Sequence, residues 1–151
     1  MTTDAAPLRR RLRRRARATP VPVRLGPLAE DGLAPALFAI VDRGVRRRPA
    51  LAETIRDVEV ELNFEDGHPP VRIVFGDRHV LVQDGPARQP DLRITGTLSN
   101  LNKLMVAPLL GGLPSPISAH GRAALGMVAF GRVRISGRLS LVRRLLALIR
   151  I

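Results

Sequence analysis

The chain closes on "GRVRISGRLSLVRRLLALIRI", residues 131–151, and a related unit stands forty-one residues earlier as "DLRITGTLSNLNKLM", residues 91–105. Each copy is a short run of alternating branched residues, a Ser or Thr, a glycine, and then Leu-Ser opening a leucine-rich stretch. The apolar period changes from two to 3.6 across the glycine, which predicts a strand turning sharply into a helix. Two copies are too few for a solenoid. They set the second half of the chain as strand–helix followed by strand–helix.

The last helix is the stronger constraint. At 100° per residue, Leu139, Leu141, Val142, Leu145, Leu146, Leu148 and Ile149 sweep a continuous arc of about 180°. Arg143, Arg144, Arg150, Ser140 and Ala147 hold the other side. A helix resting on a sheet needs an apolar stripe only somewhat wider than about 100°. Burying these seven side chains is worth roughly 10–20 kcal/mol before entropy costs, against a net domain stability of about 5–15 kcal/mol. The arc therefore has to be covered. Either the first helix and a Gly/Pro-rich segment complete the core, or a partner helix, a second subunit or an apolar ligand lies against it. The nearby "LMVAPLLGGL" and "LGMVAFG" carry Met105, Leu109, Leu110, Met127 and Phe130 on segments with glycine hinges. Methionine adapts to varied apolar surfaces, and a cavity lined in this way suits a lipid tail.

The remaining segments complete an α+β domain. "TPVPVRLGPL" has three prolines and reads as an extended strap. A helix is expected from near Pro35, with Leu33, Leu37, Ile40, Val41 and Val45 on one face, and a shorter helical piece over 50–56. "VEVELNF" alternates Val58, Val60, Leu62 and Phe64 with Glu59, Glu61 and Asn63, a strand with one wet face. "VRIVFGDRHVLVQ" predicts a hairpin over 71–83, "DLRITGT" a fourth strand and "RVRISG" a fifth. Residues 106–130 are rich in Gly and Pro, with one short helix near 119–127. The expected organisation is a disordered basic tail over 1–18, a proline-rich strap over 19–32 and one folded domain over 33–151.

Charge is distributed unevenly. Residues 1–24 carry +7, residues 25–91 carry −4, and residues 92–151 carry +9 with no acid at all. The basic ends favour an anionic partner, membrane or nucleic acid, or serve solubility alone. The absence of cysteine excludes disulfides, thiol catalysis and thiolate metal sites. "APALFAIV" and "LLALI" fall far short of the roughly 18–20 apolar residues of a membrane span. No apolar stretch follows the N-terminal arginines as a signal peptide requires, so a cytoplasmic protein is expected. His68, His79 and His120 stand far apart without metal-ligand spacing. No phosphate-binding loop, dinucleotide fingerprint or Gly-x-Ser-x-Gly elbow occurs. Glu59, Glu61, Glu65 and Asp66 fall on the wet face of a strand and in a loop, where solvation is the expected role. The expectation is a non-enzyme without cofactor or metal.

The order of elements resembles the lipid-binding domain of the sterol carrier protein type 2 family. The residues that carry the resemblance are "PDLRITGTLSNLNKLM", "GRVRISGRLSLVRRLLALI" and the meander "VEVELNFEDG…VRIVFGDRHVLVQDG", together covering about residues 33–150. It implies a five-stranded, mostly antiparallel sheet with helices packed on one face and an apolar tunnel between them. It also implies a cofactor-free carrier of sterols, acyl lipids or isoprenoids. Bacterial relatives include accessory factors of ubiquinone biosynthesis, and the strap resembles the segment preceding the domain in some of them. The longer connection over 106–130 and the basic tail depart from the family pattern.

The leading reading is a lipid carrier, cytoplasmic and peripheral to the membrane. Its expected cavity residues are Leu101, Leu104, Met105, Leu109, Leu110, Met127, Phe130, Leu141, Leu145 and Leu148. Arg9, Arg10, Arg11, Arg13, Arg14, Arg15 and Arg17 would dock it on anionic lipid at roughly 1 kcal/mol each. Lipid- or quinone-modifying enzymes are the expected protein partners. A second reading makes the apolar arc a protein-interaction scaffold or a self-association face. A third, nucleic-acid binding through the basic tail, lacks stacking aromatics and any recognition helix, leaving only non-specific phosphate attraction.

Overall fold

A computed structural model describes residues 18–27 and 32–150. The basic segment that includes Arg9 to Arg17 lies outside the described residues. The strands are β1 (Val23–Leu25), β2 (Val58–Phe64), β3 (Val71–Phe75), β4 (Val80–Asp84), β5 (Leu92–Gly96), β6 (Leu109–Leu110), β7 (Leu113–Pro114) and β8 (Val133–Gly137). The helices are α1 (Ala34–Arg47), α2 (Pro49–Glu53), α3 (Leu98–Val106), α4 (Ala119–Ala129) and α5 (Leu139–Ile149). None of them is long and apolar enough to cross a membrane.

The main sheet has the order β1-β4-β3-β2-β5-β8. β1 runs parallel to β4 and β2 parallel to β5, and the other pairs are antiparallel. Register puts the alternating apolar residues on one face. Val60 lies opposite Ile73 and Leu92, and Leu62 opposite Val71 and Ile94. With Phe75, Val80, Val82 and Val133 they form the sheet side of the core, closed by Leu37, Val41 and Val45 of α1 and the apolar face of α5.

Six strands, not five, make the sheet. The sixth is β1, inside the proline-rich strap. Proline cannot donate to a ladder, so the sequence argues against a strand there, yet an edge strand uses only one side of its backbone. Pro22 contributes the group it retains: its carbonyl accepts the Val80 N–H at 2.9 Å, and the Gly26 N–H reaches the Val82 carbonyl at 2.8 Å. The Gly/Pro-rich connection also holds more order than its composition implies. Gly111 and Gly112, with φ of 62° and 82°, form the two-residue turn of the β6–β7 hairpin, and the helix beyond it runs to Ala129.

The apolar arc of α5 is covered from within. Leu141, Val142, Leu145, Leu146, Leu148 and Ile149 are all buried, and Leu139, at the arc's edge, stays 57% exposed. α5 packs against α1, α2 and β7. α1 comes so close that a Cβ on Gly44 would collide with the Leu148 carbonyl oxygen. The first helix and the Gly/Pro-rich segment thus complete the core, and no external cover is needed. Among the described residues, an apolar cleft remains between α1, α3 and β2.

The candidate lipid cleft

The opening lies between α1 and α3, over β2. Leu62 and Phe64 form its floor, Leu33, Ala36, Leu37 and Ile40 one wall, and Leu98, Leu101 and Met105 the other. Its volume is about 500 Å³, within the range of roughly 300–1,000 Å³ typical of small-molecule sites. Among the described residues, the polar groups on it are Asp66, Ser99 and Asn102, and no cation lines it.

Helical geometry explains why α1 leaves a flank open. On a 100° wheel, Ala36, Ile40, Leu33, Leu37, Val41 and Val45 span about 180°. Val41 and Val45 are fully buried, while Ile40 and Leu33 are half-buried and Ala36 is exposed on the cleft side. The surplus apolar surface sought on α5 therefore belongs to α1. α1 is held in place at its N-terminus, where Leu33 caps without a side-chain bond and Asp84 Oδ1 instead accepts the Ala34 N–H at 3.2 Å. The negative carboxylate sits at the positive end of the helix dipole. Its Oδ2 is buried without a partner among the described residues.

α3 is fixed as firmly. Thr97 Oγ1 accepts the Asn100 N–H at 3.2 Å and Asp66 Oδ2 accepts the Leu98 N–H at 2.9 Å. Asp66 thus joins the β2–β3 loop to the α3 N-terminus at the cleft. Leu101 faces the cleft and core, Met105 remains half-buried, and Leu104 turns into the core. The His68 ring stands edge-on to Phe64, with centroids 6.1 Å apart, and is exposed. His79 lies just before β4, and His120 is exposed on α4.

Of the expected cavity residues, the structure brings Leu101 and Met105 together at this cleft. Leu104, Leu141, Leu145 and Leu148 are core. Leu109 and Leu110 sit in the β6 ribbon, half-buried and 58% exposed respectively. Met127 and Phe130 line a separate groove between α3 and α4. The lining that sequence reasoning missed comes from α1, the end of β2 with Asp66 beyond it, and Leu98, Ser99 and Asn102 of α3. The available signal was an α1 stripe as wide as that of α5.

The acids of β2 and its loop are not simply solvated. Glu61 is 4% exposed, covered by the β4–β5 connection; Oε2 accepts the Ala87 N–H and Oε1 the Arg93 Nε–H, each at 2.7 Å. Glu59 pairs with Arg72 and Glu65 with Arg134. These carboxylates tie the outer sheet face together.

No protein-family model and no curated protein matches the sequence. Solved structures do match the fold. A UbiJ-SCP2 ubiquinone synthesis protein aligns with a TM-score of 0.55 at 17% identity, covering 78% of this chain and 85% of that one. Apo sterol carrier protein 2 from Yarrowia lipolytica aligns at 0.51 and 13%, covering 81% and 94%. The stereoselective inverting sec-alkylsulfatase Pisa1 from Pseudomonas sp. aligns at 0.51 and 12%, covering 74% of this chain but only 16% of the enzyme. The chain has the sterol carrier protein 2 fold, which occurs both as most of a small chain and as a minor part of a long one.

Proposed function

We propose that this chain, built on the sterol carrier protein 2 fold, is a non-catalytic carrier that holds the hydrocarbon part of a lipid in the α1–α3 cleft. The observation that carries the reading is the cleft's lining: apolar side chains on two walls and the floor, with polar groups few enough to orient a head group rather than bind a polar molecule. Among the described residues Asp66 is its charged residue and no cation lines it, so the favoured head group is neutral and hydrogen-bonding, such as an alcohol or a quinone-ring oxygen held by Asn102 and Ser99. The likeness to a ubiquinone synthesis protein favours an isoprenoid ligand, presented to modifying enzymes.

Displacement of a fluorescent acyl probe tests this. An isoprenoid alcohol is expected to displace it, and Ile40→Arg, which puts a cation into the half-buried wall, is expected to abolish probe binding while the far-ultraviolet circular dichroism stays unchanged. Failure of every apolar probe to bind the wild-type chain contradicts the reading. A second reading, an apolar docking groove for a segment of a protein partner, fits the open cleft as well. It predicts that a partner protein, and no lipid, protects Met105 from oxidation.

A further inference from the structure

The α3–α4 groove is the counterpart of the cleft on the opposite flank of α3. Ser99, Asn102 and Met105 face the apolar cleft, whereas Asn100 and Lys103 face a groove of about 530 Å³ shared with Arg122, Met127, Phe130 and Arg132. Lys103, Arg122 and Arg132 are exposed, and none has a carboxylate partner among the described residues. No acid is among the groove's described lining residues, and Glu65 and Asp66 on the neighbouring β2–β3 loop are engaged by Arg134 and by the Leu98 N–H. Phe130 is 87% exposed at the C-terminal end of α4, and Ile117 is 78% exposed just before its N-terminal end. Arg122 Nη1 donates to the Ile117 carbonyl at 2.8 Å and to that of Pro116 at 3.3 Å, which holds its guanidinium beside the Ile117 loop.

A single exposed apolar residue is ordinary. Two large ones flanking an eleven-residue helix, with three cations that no carboxylate pairs among the described residues, form a pattern of another kind. Cations seek phosphate and carboxylate at an anionic surface, while a bulky apolar side chain beside them enters the head-group layer. Nucleic acid answers the charge but offers no apolar layer for Ile117 and Phe130.

We propose that the α3–α4 face, through Lys103, Arg122 and Arg132 with Phe130 and Ile117 as apolar anchors, is a docking surface for anionic lipid bilayers. α3 is then the wall shared by membrane face and cleft. The surface stands on its own observations and does not require the cleft to be filled.

The chain lacks Trp and Tyr, so Phe130→Trp in the full-length protein reports on this face alone. With phosphatidylcholine vesicles containing phosphatidylglycerol, the emission is expected to shift to the blue and to be quenched by brominated acyl chains. With phosphatidylcholine alone it is expected to stay unchanged. Adding K103Q, R122Q and R132Q is expected to weaken vesicle affinity about fivefold per charge, on the order of 100-fold for the three. Asp77→Trp, in the exposed β3–β4 turn, is expected to keep its aqueous emission throughout. Co-sedimentation of the Phe130→Trp protein without any shift assigns binding to the arginine-rich N-terminal segment and overturns the proposal. So does absence of vesicle binding, an equal response at residue 77, or a shift at physiological salt with duplex DNA but not with vesicles.

Discussion

Glu61 is the side chain on which the outer sheet face turns. Its alternation with Val60 and Leu62 marks it as solvent-facing, and it does lie on the outer face. The connection from β4 to β5 then crosses over it and brings the Ala87 N–H to one oxygen, while Arg93 takes the other. A buried carboxylate with both oxygens occupied supports the fold, and removing it strands a buried N–H. Glu61→Ala is expected to destabilise the chain by about 1–3 kcal/mol in urea unfolding. Glu61→Gln, which keeps a carbonyl acceptor for Ala87, is expected to cost less. Two-residue alternation reports which face a side chain takes but not whether a later loop will cover that face, so the burial of Glu61 is not readable from "VEVELNF".

At the level of elements, the sequence carries most of the fold. β2, the β3–β4 hairpin, β5, β8, α1 and α5 all follow from periodicity and the turn residues between them. β1 escapes because its prolines are compatible with a strand only at an edge, and edge placement is a tertiary fact. The two strand–glycine–helix units are also less alike than they read. Gly137 turns with φ of 137°, whereas Gly96 has no positive φ and is pressed by the Arg132 carbonyl 3.1 Å from where a Cβ would stand. The position of the cleft is not legible in the periodicity. α1 and α5 both have apolar arcs near 180°, and the pattern alone does not say which flank remains open after packing. Gly44, on the same face of α1 as Leu37 and Ile40 but nearer the C-terminal end, lets the backbones of α1 and α5 approach closely, which seals α5 and leaves the N-terminal half of that face over β2. Gly44→Ala is therefore expected to destabilise by about 1–3 kcal/mol despite alanine's better helix propensity. Gly126→Ala on α4, where a Cβ meets only the Phe130 ring at 4.0 Å, is expected to stabilise by about 0.5–1 kcal/mol. Thermal melts of the two variants check the contrast.

At the scale of the whole molecule, helices packed on the sheet leave, among the described residues, an apolar strip between α1 and α3. On the proposed reading that strip is the ligand-holding side, and its polar groups set a preference. A carboxylate head group near Asp66 meets like charge, so a fatty acid is expected to bind about fivefold more weakly than the alcohol of equal chain length, roughly 1 kcal/mol in a partly solvated site. Asp66→Asn is expected to narrow that gap in the same displacement titration, although it also weakens the anchor on the Leu98 N–H.

The most direct test is native mass spectrometry of the full-length chain beside its Ile40→Arg variant, each offered the same isoprenoid alcohol in equal excess. A one-to-one adduct on the unmodified chain and bare protein for the variant is the predicted result. Bare protein in both spectra, or the same adduct on both, would contradict a ligand site between the first and third helices.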